Sequence, residues 1–220
     1  MQLPFTRDQF IGVFQAYHDA IGGAPLLLIA TALGILALAY SEWRWRHRVI
    51  GAMLAALWLW SGAIYHWGFF TAINPAARIF GAAFVVQAVI VLVVGSMHGR
   101  WRFDPRSSET ASLGWLLIVY ALIVYPALGW IGGHGYPRGP SFGAPCPITI
   151  FFLGMVLWSN RIPVAVVVAP VVWALVGTSA AAELHIYEDY ALTASAVIVV
   201  GVILLRRFRA RRVEPALHKG

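Results

Sequence analysis

Five residues of this 220-residue chain carry side chains that bind metal ions or relay protons, and all fall near one end of its apolar runs: His66, His134, Cys146, Glu183 and His185. Imidazoles, a thiolate and a carboxylate together suit zinc or copper. They come from three separate segments, so only folding would assemble them. No HExxH, CxxC or HxxxH spacing ties any two together. Each also has a plainer reading. His66 lies between Tyr65 and Trp67, as a member of an interfacial aromatic belt would. Glu183 and His185 end an apolar run, where solvent is close. Cys146 stands between Pro145 and Pro147, which stiffen its backbone whether the thiol holds a soft metal or fills a turn. The other polar candidates are Ser61, Tyr65, Asn74 and Gln87. Asn74 precedes a proline, as helix caps do, and Gln87 suits a hydrogen bond between helices.

The elements that must position these residues are membrane helices. The chain is 60% hydrophobic and 11% charged, against about 45–50% and about 25% in a soluble domain. Its polar residues are too few to cover its apolar ones, so lipid must be part of its solvent. The composition predicts an all-α, polytopic membrane bundle forming one domain. Residues 4–21 read as an amphipathic helix lying in the interface: Thr6 and Gln9 have capping-box spacing, and Phe5, Phe10, Val13, Phe14, Tyr17 and Ile21 fall on one face. Seven spans follow, at about 24–41, 49–72, 75–97, 112–131, 147–158, 162–182 and 190–205, with a basic tail over 206–220. No basic region precedes the first apolar run, so the first span is expected to serve as the insertion signal.

The fifth span is anomalous. Its twelve residues reach roughly 18 Å, against a hydrocarbon core of about 30 Å. It is preceded by Gly132–Pro147, in which nine of sixteen residues are glycine or proline, so no regular helix runs through it. Either the bilayer thins there or the loop dips into it. Pro170 is expected to kink the sixth span.

Alternating loops divide the charge. One side holds Arg44, Arg46, Arg48, Arg100, Arg102, Arg106, Arg161, Arg206, Arg207, Arg209, Arg211, Arg212 and Lys219, thirteen of the sixteen basic residues. The other holds Arg7, Arg78 and Arg138 with five acids, Asp8, Asp19, Glu183, Glu188 and Asp189. The basic side is expected to be cytoplasmic, which leaves the N-terminus outside. The same clustering of arginine between apolar runs argues against nucleic-acid binding.

Several functions drop out. Cys146 is the one cysteine, so no intramolecular disulfide forms. A retinal Schiff base needs a lysine inside a helix, and the one lysine is Lys219. No carboxylate falls in the middle of a span, as a proton pump would need, and no glycine loop cradles a phosphate.

Three stretches, Leu3-Pro-Phe-Thr-Arg-Asp-Gln-Phe10, Tyr65-His66-Trp67 with Ile73-Asn-Pro-Ala-Ala77, and Gly143-Ala-Pro-Cys-Pro147, together resemble a bacterial multi-pass family known as domain of unknown function 6064. The resemblance covers nearly the whole chain. It implies a protein of the bacterial cytoplasmic membrane and carries no activity or site. A partial similarity is to seven-helix membrane hydrolases of the alkaline ceramidase and adiponectin-receptor type. Ser61 and His66 would match their serine and histidine, but are spaced by five rather than four, and the last helix lacks the histidine pair. Zinc amidase chemistry is therefore not carried over.

Three functions fit these readings. The first is a transporter or binding protein for a small solute or metal ion, with its site at the outer face and lipid as its surroundings. The second is a metal-dependent enzyme of the outer leaflet using His66, His134, His185 and Glu183. The third is an accessory subunit, or a homo-oligomer, whose tryptophans and small residues pack in lipid. No catalytic set stands out in the sequence.

Overall fold

The computed structural model describes residues 3–98 and 101–217, with side chains of the last helix described to residue 209. Arg100 and Lys219 lie outside the described residues, as do the side chains of Arg211 and Arg212. The described residues are helical, without strands.

Helix α1 runs over Arg7–Ile21 and opens with the capping box its sequence announces. The Gln9 amide donates to Thr6 Oγ1 at 3.3 Å and the Thr6 amide to Gln9 Oε1 at 2.8 Å. After Gly22 the chain turns by 88° into α2, Ala24–Tyr40. The aromatic face of α1, expected to meet the interface, instead docks on the bundle. Phe14 stacks on Tyr65 with ring centroids 5.4 Å apart, and Tyr17 meets the same ring edge-on at 5.5 Å. The physical reason is that the bundle presents a complementary aromatic surface, which buries these rings better than headgroups would.

Helix α3, Arg46–Trp60, continues into a π-helical segment, Ser61–Trp67; α4, Ala77–Val91, ends in another, Leu92–Met97. The two pack antiparallel with backbones nearly touching. A Cβ on Gly51 would stand 2.7 Å from the carbonyl carbon of Gly95, so only glycine fits there. Helices α5, Ala111–Val119, and α6, Tyr125–Ile131, are joined through a π segment, Tyr120–Val124. Helix α7 is Pro145–Leu157, α8 is Val164–Leu184 with Pro170 inside it, and α9 is Tyr190–Leu217.

Among the described residues, five stretches are long and apolar enough to cross a membrane: Arg46–Ala72, Ala77–Met97, Ala111–Ile131, Val164–Leu184 and Tyr187–Arg209. A sixth is gained if the bent pair α1–α2 counts as one span. Five or six stretches among the described residues could thus cross a membrane, and α7 is apolar but shorter.

All thirteen residues of α7 are buried. It is the central pillar of the bundle, packed against α3, α5, α8 and α9. A helix that meets protein on every side need not match the bilayer, and its length of roughly 20 Å is that of the core it fills. The Gly/Pro loop before it packs its second half inside the bundle, with Phe142 edge-on to Phe151 of α7 at 5.3 Å.

Polar loops gather at the two ends. At one, Asp104 N donates to Trp158 O, Asn160 N to Arg102 O and Arg106 pairs with Glu42. At the other, α1, the Gly/Pro loop and the turn before α9 meet.

Candidate functional site

At the α1 end lies a cavity of about 460 Å³. Phe5, Phe10 and Phe14 roof it. Tyr65 and Phe70 continue the aromatic wall, Phe80 of α4 and Trp173 and Val176 of α8 flank it, and Cys146 and Asp189 lie at its inner side. Ala76, Phe80, Val176 and Ala180 are only half-buried, so its rim runs between the facing ends of α4 and α8. Asp189 is the one acidic side chain among the lining residues, with Asn74, Tyr65, Ser179 and Cys146 as further polar ones.

Local sequence explains the inner wall. Ala144 precedes α7 in extended conformation and Pro145 takes its first position, where a missing N–H costs nothing. Cys146 is thereby placed in the first turn. Asp189 ends a 3-10 turn, Tyr187–Asp189, immediately before α9. Its carboxylate accepts a hydrogen bond from the Tyr125 hydroxyl, and the Cys146 thiol faces the same carboxylate.

Beside Asp189 a second acid is paired. His134 Nε2–H donates to Glu188 Oε1 at 2.6 Å, with the two side chains 4% and 2% exposed. His134 Nδ1 stands 3.3 Å from the Arg7 guanidinium, which brings a charge from the start of α1 to the pair. The Tyr120 hydroxyl donates to the Glu188 carbonyl at 2.9 Å.

The roof is latched by histidine. His18 Nδ1 lies 2.7 Å from the Pro137 carbonyl and Nε2 lies 2.7 Å from Ser141 Oγ. A carbonyl only accepts, so Nδ1 carries the proton and Nε2 accepts from Ser141. Burial pushes the His18 pKa below its usual value, against the pull of the Pro137 bond and of Asp19. Tyr17, next to it, accepts from the Trp60 indole at 2.7 Å; burial raises its pKa to about 12, the indole bond opposing. Gly143, at φ 125°, lets the loop pass beneath, since a Cβ there would stand 2.5 Å from Leu28 and 3.0 Å from the Tyr17 hydroxyl.

The five metal candidates do not converge. Among the described residues no three of His, Cys, Asp and Glu are grouped so as to hold an ion. Glu183 and His185 are exposed, and His185 ends α8 in left-handed conformation. His134 is committed to Glu188, and Cys146 faces Asp189. His66 is wholly buried in an aromatic cage of Tyr65, Phe70, Phe80, Phe84 and Trp173, with neither ring nitrogen hydrogen-bonded. As they stand these donors do not form a zinc or copper site, because no three of them converge; the acids that folding brings inward are Glu188 and Asp189, in the turn after α8, and not Glu183.

The remaining polar candidates fall as follows. Ser61 is buried at the start of the π segment with its hydroxyl unpartnered. Wider π turns bring residues five apart closer to one face, so Ser61 and His66 share a side that an α-helix would separate. Gln87 Nε2 donates from α4 to the Val166 carbonyl of α8 at 2.7 Å. Asn74 Oδ1 accepts from the Ala76 amide at 3.1 Å and caps the turn leading into α4.

No curated protein and no solved structure matches the chain. Residues 7–214, which include the latch, the acid pair and all of the cavity lining except Leu3, Pro4 and Phe5, match the Family of unknown function (DUF6064), and the chain belongs to that family.

Proposed function

We propose that the protein binds a small amphipathic solute, mostly apolar with a hydrogen-bond donor at one end, taken up from the bilayer into the cavity beneath α1. The observation that carries this is the cavity itself: a space of about 460 Å³ with apolar walls and one carboxylate at its inner side. Binding sites for small molecules have this build, an apolar enclosure with a few convergent polar groups that fix orientation. Asp189 would accept from a hydroxyl or ammonium of the solute. The rim between α4 and α8 favours entry from lipid. Binding suits the architecture better than passage, because α7 fills the centre of the bundle.

The same reading includes seven helices in the cytoplasmic membrane of a bacterium, α2 and α7 joining the five long stretches, with the N-terminus outside. The clustering of arginine at the end opposite α1 supports this orientation, and the cavity then faces the outer leaflet.

Decylamine, decanol and decanoate distinguish the chemistry. In lipid nanodiscs the amine and the alcohol should raise the melting temperature and the carboxylate should not. Asp189→Asn should abolish the preference for the amine, and Ala180→Phe, which fills the rim, should abolish both effects. Equal responses to all three compounds, unchanged in these variants, would overturn the reading.

A further inference from the structure

The end of the bundle opposite α1 holds a second cavity, of about 400 Å³. Its walls stand where apolar helix gives way to polar loop: Ser107, Ser108 and Glu109 just before α5, Trp158, Ser159 and Asn160 just after α7, and Arg206 and Arg209 just past Leu205 of α9. In a membrane protein this is the level of lipid headgroups.

Charges of both signs face the space. Arg206 and Arg209 are three residues apart and share one face of α9. Arg206 reaches only long contacts, 3.4 Å to the Ser159 carbonyl and 3.3 Å to Thr110 Oγ1. A guanidinium has five N–H donors in a fork that matches a phosphate. Arg209 meets Glu109 at 3.1 Å in a pair whose side chains are 74% and 78% exposed, and such exposed pairs contribute little and exchange partners readily. Asp104 is held in a turn, with Oδ1 accepting from the Arg106 amide at 3.1 Å.

We propose that this cavity binds the headgroup of an amino-phospholipid, with the phosphate between Arg206 and Arg209 and the primary ammonium at Asp104 and Glu109. A purely anionic headgroup would bring no counter-charge to the two carboxylates. A choline headgroup has no N–H for them, and its methyl groups need aromatic faces. The one aromatic lining residue, Trp158, is fully buried with its indole N–H donated to the Ala111 carbonyl at 3.1 Å. Leu204, Leu205 and Phe208 are exposed on the same stretch of α9 and offer acyl chains a surface to lie against, which favours a lipid over a free phosphoethanolamine.

The site is separate from the cavity under α1, so its failure leaves that reading untouched. The full chain is reconstituted in nanodiscs holding phosphatidylethanolamine, phosphatidylcholine and phosphatidylglycerol in equal amounts, released into detergent, and its retained lipids are counted by native mass spectrometry. Several-fold enrichment of phosphatidylethanolamine over both others is expected. It should vanish in Arg206→Ala and in Asp104→Asn, and persist in Arg161→Ala, which lies outside the lining. Millimolar O-phosphoethanolamine should displace the retained lipid. Equal retention of the three lipids, or an enrichment that both variants keep, overturns the proposal. So does binding of soluble phosphoethanolamine by a protein that retains no lipid.

Discussion

At the α1 end of the bundle an acid meets a base with both side chains within 4% of complete burial; at the other end the acid–base pairs are 61% to 84% exposed. The interactions are chemically alike and energetically different. His134 and Glu188 have given up water, so each depends on the other for compensation. Arg106–Glu42 and Arg209–Glu109 keep their water and can part at little cost. One end is therefore built to hold a fixed geometry around an enclosed space, and the other to stay open to exchange with polar partners.

The strongest way to break this contrast is to remove the acid from the buried pair. Glu188→Ala leaves the buried His134 Nε2–H without its acceptor. The expected cost is about 1–3 kcal/mol, read as a fall in melting temperature of the detergent-purified protein. Glu188→Gln keeps an acceptor for His134 Nε2–H and should lose less than half of that. A loss below about 1 kcal/mol for Glu188→Ala would place the pair in the same class as the exposed ones.

His66 sharpens the contrast from the opposite side, as a buried polar ring without a partner. Both nitrogens lie among aromatic rings, the nearest being Phe84 at 4.7 Å and Trp173 at 5.0 Å. An unsatisfied buried group costs about 1–3 kcal/mol. His66→Phe, or His66→Leu where the larger ring overpacks, should therefore stabilise the protein by about 1–2 kcal/mol. Destabilisation by both variants would show that the imidazole nitrogens have a bound partner, and would draw His66 into the binding site.

The latch predicts a pH dependence confined to the α1 end. His18 has its pKa lowered by burial, so the unfolded chain takes up the proton first as the solution is acidified. The latch thus contributes fully above the ordinary histidine value of about 6.5 and loses its contribution as pH falls below it. The melting temperature should drop more steeply between pH 7.5 and pH 5 in the wild type than in His18→Gln. Parallel pH profiles for the two proteins would sink this assignment.

Much of the fold was legible in the sequence because its signals are local. Apolar runs mark the long helices, and Thr6 with Gln9 marks the start of α1. Hydropathy does not say whether lipid or protein covers an apolar helix, so the burial of α7 on every side is not legible in its composition. The floor of the site was hidden for a different reason. Glu188 and Asp189 stand in the sequence only as two of five acids on the side poor in arginine, and their burial depends on partners 54 and 64 residues away, His134 and Tyr125. The one available hint is that two adjacent acids lie just ahead of a long apolar run. That Ser61 and His66, five residues apart, come near one face could not be read from their spacing, because the chain there is π-helical.

The smallest effect tests the open end. Arg106 donates to Glu42 at 3.1 Å, with side chains 61% and 84% exposed, and also lies over the Tyr40 ring at 5.5 Å. Arg106→Ala removes the ion pair and the cation–π contact but uncovers no buried charge, because Glu42 is already in water. The two contacts together are worth no more than about 1–2 kcal/mol at an exposed site. Glu42→Ala removes the pair alone and should cost less than about 1 kcal/mol, a loss that added salt reduces further. A double-mutant cycle isolates the pair from the stacking. A coupling energy below about 0.5 kcal/mol is what an exchangeable pair should give, and a value approaching that of His134–Glu188 would mean that the two ends of the bundle are built alike.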